Sequence, residues 1–188
     1  MPFLVIFLQT NLRASGECYL KIRPAVLAWL LGEKKIQMKK TLLYKLFGLG
    51  SVPKKLLPLL EQEGIVVSDE GMSGRFIAKH VNGPGKRYRH RSEGFSGCLV
   101  VTKERVICYT YRKRQINISV RDPKIANLYV DNSQEEKLCL SFESSDFQEG
   151  WNGLIEFRFN TTKAHQFREA LIEIGAQGAA PDARSSRQ

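Results

Sequence analysis

Cysteine is scarce in this chain, and what there is forms no framework. The four cysteines, Cys18, Cys98, Cys108 and Cys139, include no C-x-x-C pair, so there is no disulfide scaffold or ribbon-type zinc site to read. Three of them sit inside apolar strand-like runs, where a thiol behaves as a small hydrophobe, and a reducing compartment is the expectation. Histidine is scarcer still, with His80, His90 and His165 scattered. A metal site from His90, Cys98, Cys108 and Cys139 is conceivable across neighbouring strands but lacks the usual ligand spacing; we expect neither metal nor cofactor. Long apolar runs are missing too. The longest, residues 3–8 and 25–31, fall far short of the ~18–20 residues that span a bilayer. The first has no preceding positive charge, as a signal peptide would. Catalytic signatures are likewise absent. There is no G-x-S-x-G, and Gly85-Lys86 lacks the upstream Gly and the following Ser or Thr of a phosphate loop, having His80 and Arg87 instead. Asp146 and Glu149 lie in an ordinary polar loop. We expect no enzyme.

Acid is also in short supply. Nineteen Asp and Glu against 29 Lys and Arg give a net charge of +10 and a pI of about 9.6. That balance favours an anionic partner without choosing among nucleic acid, acidic lipid and acidic protein. What the chain does have, 43% hydrophobic and 26% charged residues over 188 positions, suits one domain with extensions.

Four segments follow in order. Residues 1–37 are atypical, and Met38 opens a native-looking start, M-K-K-T-L-L-Y-K-L-F, so 1–37 reads as an over-extension of the frame, with an ordered extra helix at 25–31 as the alternative. Residues 38–64 form a Lys/Leu-rich helical lead-in. Lys39, Lys40, Lys45, Lys54 and Lys55 occur with no acid before Glu61. At helical spacing Leu42, Leu43, Leu46 and Phe47 share one arc, with Thr41, Tyr44, Lys45 and Gly48 opposite. Such a helix can lie on an acidic membrane surface, or its leucines can pack on the protein body. Lys39, Lys40, Lys45, Phe47, Lys54 and Lys55 are therefore the membrane-surface candidates.

From residue 65 the pattern is β. A short run at 65–67 is broken by Asp69-Glu70-Gly71, residues 75–81 follow, and Asn82-Gly83-Pro84-Gly85 signals a turn. Lys86, Arg87, Arg89 and Arg91, alternating with Tyr88 and His90, could grip phosphate groups or protect an exposed edge strand by charge. Residues 96–120 are the most patterned stretch. They read as a meander with breaks at Lys103-Glu104 and at Arg112-Lys113-Arg114, whose three cations complete the anion- or partner-binding candidates. Pro123 ends the third strand. Residues 125–130 and 138–143 make a hairpin across a polar loop, and after a loop at 144–150 residues 151–159 alternate Ile155, Phe157 and Phe159 against Glu156 and Arg158. Thr161 or Thr162 caps a last helix carrying the stripe Ala164, Phe167, Leu171 and Ile174. Residues 176–188 read as a disordered tail.

The pattern Gly97-x-Leu99-x-Val101-Thr102-x-x-Arg105, the apolar and aromatic residues through Tyr111 and the strand at 116–120 resemble the second to fourth strands of PH-like and GRAM-like domains. The resemblance covers roughly residues 65–175, and the lead-in is similar to that of small uncharacterised bacterial proteins with a PH-like body. It implies a mainly β fold with α: a seven-stranded antiparallel sandwich or barrel capped by a C-terminal helix and preceded by amphipathic helices. It also implies binding of acidic lipids or proteins, with basic residues around the first hairpin, where Lys79, Lys86, Arg87 and Arg89 match. The expected function is a non-enzymatic binding module. A protein partner comes first, acidic membrane lipid is the alternative, and nucleic acid is disfavoured for want of a recognisable motif. The expected location is the cytoplasm, with peripheral contact at a membrane.

Overall fold

The computed structural model describes residues 40–178. The readings at 1–37, Met38 and Lys39, and the tail beyond Gly178, lie outside them. Two short helices, α1 (Leu42–Phe47) and α2 (Leu57–Glu63), precede β1 (Ile65–Gly83), β2 (Lys86–Thr102), β3 (Arg105–Thr110) and β4 (Lys113–Ser119). A 3-10 turn (Pro123–Asn127) leads to β5 (Tyr129–Gln134) and β6 (Lys137–Glu143); α3 (Ser144–Phe147), β7 (Asn152–Asn160), α4 (Ala164–Glu173) and β8 (Gln177–Gly178) complete the order. The strands form one sheet, β4-β3-β2-β1-β7-β6-β5-β8, antiparallel except at β5–β8, curled into a half-barrel. β1 is its hub, paired with β2 on one side and β7 on the other.

Both faces of the first sheet half are covered, which explains why residues 98–101 are apolar without a break and all buried. Leu99 and Val101 join the main core with Phe157, Phe159 and Phe167, while Cys98 and Val100 point the other way, to Val52, Leu60, Ile107 and Tyr109. The inner core centres on rings: Phe95 lies edge-on to Phe159 at 5.3 Å, packed across Gly74, where a Cβ would come within 2.3 Å of it. α4 closes the half-barrel with Ala164, Phe167, Ala170 and Leu171 buried. Leu60, fully buried, fastens α2 to the outer face; burial of one such side chain is worth roughly 1.5–3 kcal/mol.

The structure corrects several expectations. The sheet has eight strands, because Ala176 is buried and Gln177–Gly178 pair with β5; the tail does not begin at 176. Asp69-Glu70-Gly71 is a bulge inside one long β1, with three steps from Asp69 to Met72 opposing two from Leu99 to Gly97. The β3–β4 turn is Tyr111-Arg112, Tyr111 taking φ 54, so Lys113 and Arg114 belong to β4 and pair with Thr110 and Tyr109. Ile125 sits in the 3-10 turn, started by Asp122 Oδ1 accepting the Lys124 N–H at 2.9 Å. β5 runs to Gln134, leaving only Glu135 and Glu136 to turn into β6, and residues 144–147 form a helical turn. Thr161 precedes α4 by accepting the Lys163 N–H, but the capping position itself is Lys163.

Candidate docking surface

The bulge in β1 turns Glu70 outward, and Glu70 holds the lead-in. Its carboxylate accepts the Val52 N–H at 2.9 Å and the Tyr44 hydroxyl at 3.0 Å. Burial, and then the bond to Glu70, raises the Tyr44 phenol above its usual range, which keeps it protonated and donating. Gly71 (φ 66) lies directly under the Tyr44 ring, where a Cβ would come within 2.4 Å of it, and its carbonyl accepts the Thr41 N–H at 2.9 Å. The Thr41 and Ser96 hydroxyls are 2.6 Å apart, and Ser96 donates to the Leu49 carbonyl at 2.7 Å. Lys40 joins the clamp by bonding the Asp69 carboxylate and the Glu70 carbonyl.

These anchors all use the polar side of α1, so its apolar arc faces outward. Leu42, Leu43, Leu46 and Phe47 are 71, 39, 64 and 62% exposed, and α1 buries no residue. The arc is as the periodicity gives it; its direction is the reverse of an ordinary core-facing helix. α2 does the opposite, with Leu60 buried and Leu56 and Leu57 packed against the outer core. Of the lead-in lysines, Lys45, Lys54 and Lys55 are exposed, whereas Lys40 is committed to Asp69.

The β3–β4 turn is tied to this helix. The Gly50 N–H, just after α1, donates to the Tyr111 carbonyl at 3.0 Å, and the Tyr111 N–H donates to Ser96. The Tyr111 hydroxyl caps the Gly94 carbonyl at 2.7 Å. Arg112, Lys113 and Arg114, all exposed, therefore follow directly on a residue bonded to the segment just after α1. The other basic cluster is divided. Lys86 and Arg87 are at the tip of the β1–β2 hairpin, eight residues and on the order of 25 Å from Gly94. Arg89 lies between, and Arg91 is engaged by Glu93 and by the Tyr88 ring, 4.9 Å from its centroid. β2 pairs with β3 only over Gly97–Val101, so its basic first half has a strand neighbour on one side alone.

No protein-family model matches this chain, and no curated protein matches it. The residues weighed for a metal site do not come together: Cys98 belongs to the outer core and Cys108 to the inner one. Burial pushes the Cys98 thiol up to about 12 and the Cys108 thiol well above its ordinary value, far from thiolate chemistry at neutral pH. Among the described residues no helix is long and apolar enough to cross a membrane.

Two polar arrangements escaped the sequence. One is the Glu70 clamp. The other is Glu156, fully buried on the outer face of β7, with Lys79 Nζ at 2.9 Å from one oxygen and Arg158 Nη2 at 2.8 Å from the other. Its only sequence signal is an acid within the I-E-F-R-F alternation, and its lysine lies 77 residues away.

Proposed function

We propose that this chain is a non-enzymatic, PH-like binding module that docks on acidic membrane surfaces through α1 and through Arg112 of the β3–β4 turn with Lys113 and Arg114 at the start of β4. The observation that carries this reading is the outward apolar face of α1. Four large apolar side chains in water, with three exposed cations that form no ion pair among the described residues, have the composition of an interfacial anchor, in which apolar insertion and attraction to anionic lipid add. Support for the PH-like body comes from the order β4-β3-β2-β1-β7-β6-β5 with a helix closing one end.

The test is flotation of the full chain with vesicles of phosphatidylcholine alone and with added phosphatidylserine. Wild type is expected to float with the acidic vesicles and to be released by salt. The double variant Leu46→Glu, Phe47→Glu should stay at the bottom with its thermal unfolding unchanged, because neither side chain packs on the body. Equal flotation of wild type and variant would refute the role of α1.

A second reading, docking of a protein segment as an added strand, is supported by the one-sided pairing of β2 between Lys86 and Phe95. It predicts that Lys86→Glu and Arg89→Glu abolish capture of a protein partner and leave flotation intact.

A further inference from the structure

A shallow groove of about 630 Å³ lies on the outer face of the other sheet half, across β1, β7, β6 and β5. At its centre Arg75 and Arg158 stand directly opposite each other in register. Two like charges so placed, with Cβ atoms about 5 Å apart, destabilise a sheet unless something neutralises them. Arg158 bonds Glu156 with one arm; Arg75 is exposed and bonds no side chain among the described residues. Lys137 adds a third cation from β6, and Asn160 donates to Ser73 at 2.9 Å along the adjoining row of the groove. Asp131 lines the groove as well.

We infer that this groove binds a phosphate monoester. The Arg75 fork, the part of Arg158 that Glu156 does not hold and the Lys137 ammonium can meet the three terminal oxygens of one monoester, and bidentate Arg–phosphate bonds are among the strongest polar contacts proteins make. The groove has more room than a bare ion needs. Neither Arg75 nor Arg158 belongs to the docking surface above, so the inference does not rest on the membrane reading.

The experiment is calorimetric titration of the full chain with glycerol 3-phosphate, paired with vesicles containing phosphatidic acid. Saturable binding of glycerol 3-phosphate, weakened at least tenfold by Arg75→Gln and also by Lys137→Gln but unchanged by Leu46→Glu, Phe47→Glu, supports a soluble phosphoester. The vesicle arm uses the Leu46→Glu, Phe47→Glu background, which removes docking through α1: binding there to phosphatidic acid but not phosphatidylcholine vesicles, lost when Arg75→Gln is added, supports a lipid headgroup as the source of the same chemistry. Failure of both probes to bind, or binding that Arg75→Gln leaves unchanged in both arms, overturns the proposal. Arg158 is left untouched because its loss would also strip Glu156 of a partner; thermal unfolding of Arg75→Gln checks that the variant is folded.

Discussion

Removing Lys79 should harm this protein more than removing the glutamate it serves. Glu156 is fully buried, whereas the Lys79 and Arg158 side chains are 38 and 48% exposed. Lys79→Met keeps the aliphatic stem but removes one cationic partner of a buried carboxylate, at a cost of about 2–3 kcal/mol, tempered by the remaining arginine. Glu156→Gln keeps the shape and removes the charge. The two cations then return to water, with a loss of about 1 kcal/mol. The double variant should resemble Glu156→Gln, since the stranded charge is gone. In urea, with a slope of roughly 2 kcal/mol per molar, the midpoint should fall by about 1 M for Lys79→Met and about half that for Glu156→Gln. The pH dependence gives a second readout. Burial by itself would raise the Glu156 carboxyl, but the bonds from Lys79 and Arg158 outweigh it and hold the group below its ordinary value. A carboxyl depressed in the fold contributes fully above the ordinary carboxylate range and loses that contribution as pH falls through the folded value. The gap between wild type and Glu156→Gln should therefore close in acid. A Glu156→Gln variant weaker than Lys79→Met, or a gap that widens in acid, would refute the reasoning.

Two further outcomes are expected. Gly71→Ala forces a left-handed φ on an L residue and drives a methyl into the Tyr44 ring, costing on the order of 1–3 kcal/mol. It should make residues 40–52 the first site of limited proteolysis, and an unchanged digestion pattern would count against the clamp. In the folded chain, thiol labelling at pH 8 should leave Cys98 and Cys108 unmodified and reach Cys139, which is partly exposed; rapid loss of all thiols without denaturant would contradict the burial of the first two.

The sequence was most legible where neighbours in the chain are neighbours in space. The meander through β2, β3 and β4, the Asn82–Gly85 turn and the apolar stripe of α4 rest on local periodicity, and the structure has them. Asp69-Glu70-Gly71 misled because three polar residues imitate a turn, whereas the ladder from Met72 to Gly97 and beyond carries the strand past them. Ile125 looked like strand for its β-branch, while Asp122-Pro123 already held a helical start. The α1 arc was readable, but its direction depends on Glu70 and Ser96, which no local pattern links to Leu42 or Phe47. The same holds for the groove, since Arg75 and Arg158 meet only through the β1–β7 register.

The hub position of β1 has a consequence for how the protein is made. On a ribosome β1 acquires β2 at once through a tight hairpin, but its other edge waits for β7, which follows five intervening strands. At about 5–20 residues per second the wait is on the order of 4–14 s. Throughout it the nascent chain carries a long half-paired strand, Phe76 included, open to any passing extended segment. Arg75 and Lys79 place charge along that open edge, where it discourages premature partners until β7 arrives. A chain released before β7 would keep this edge bare, and its hazard would be aggregation.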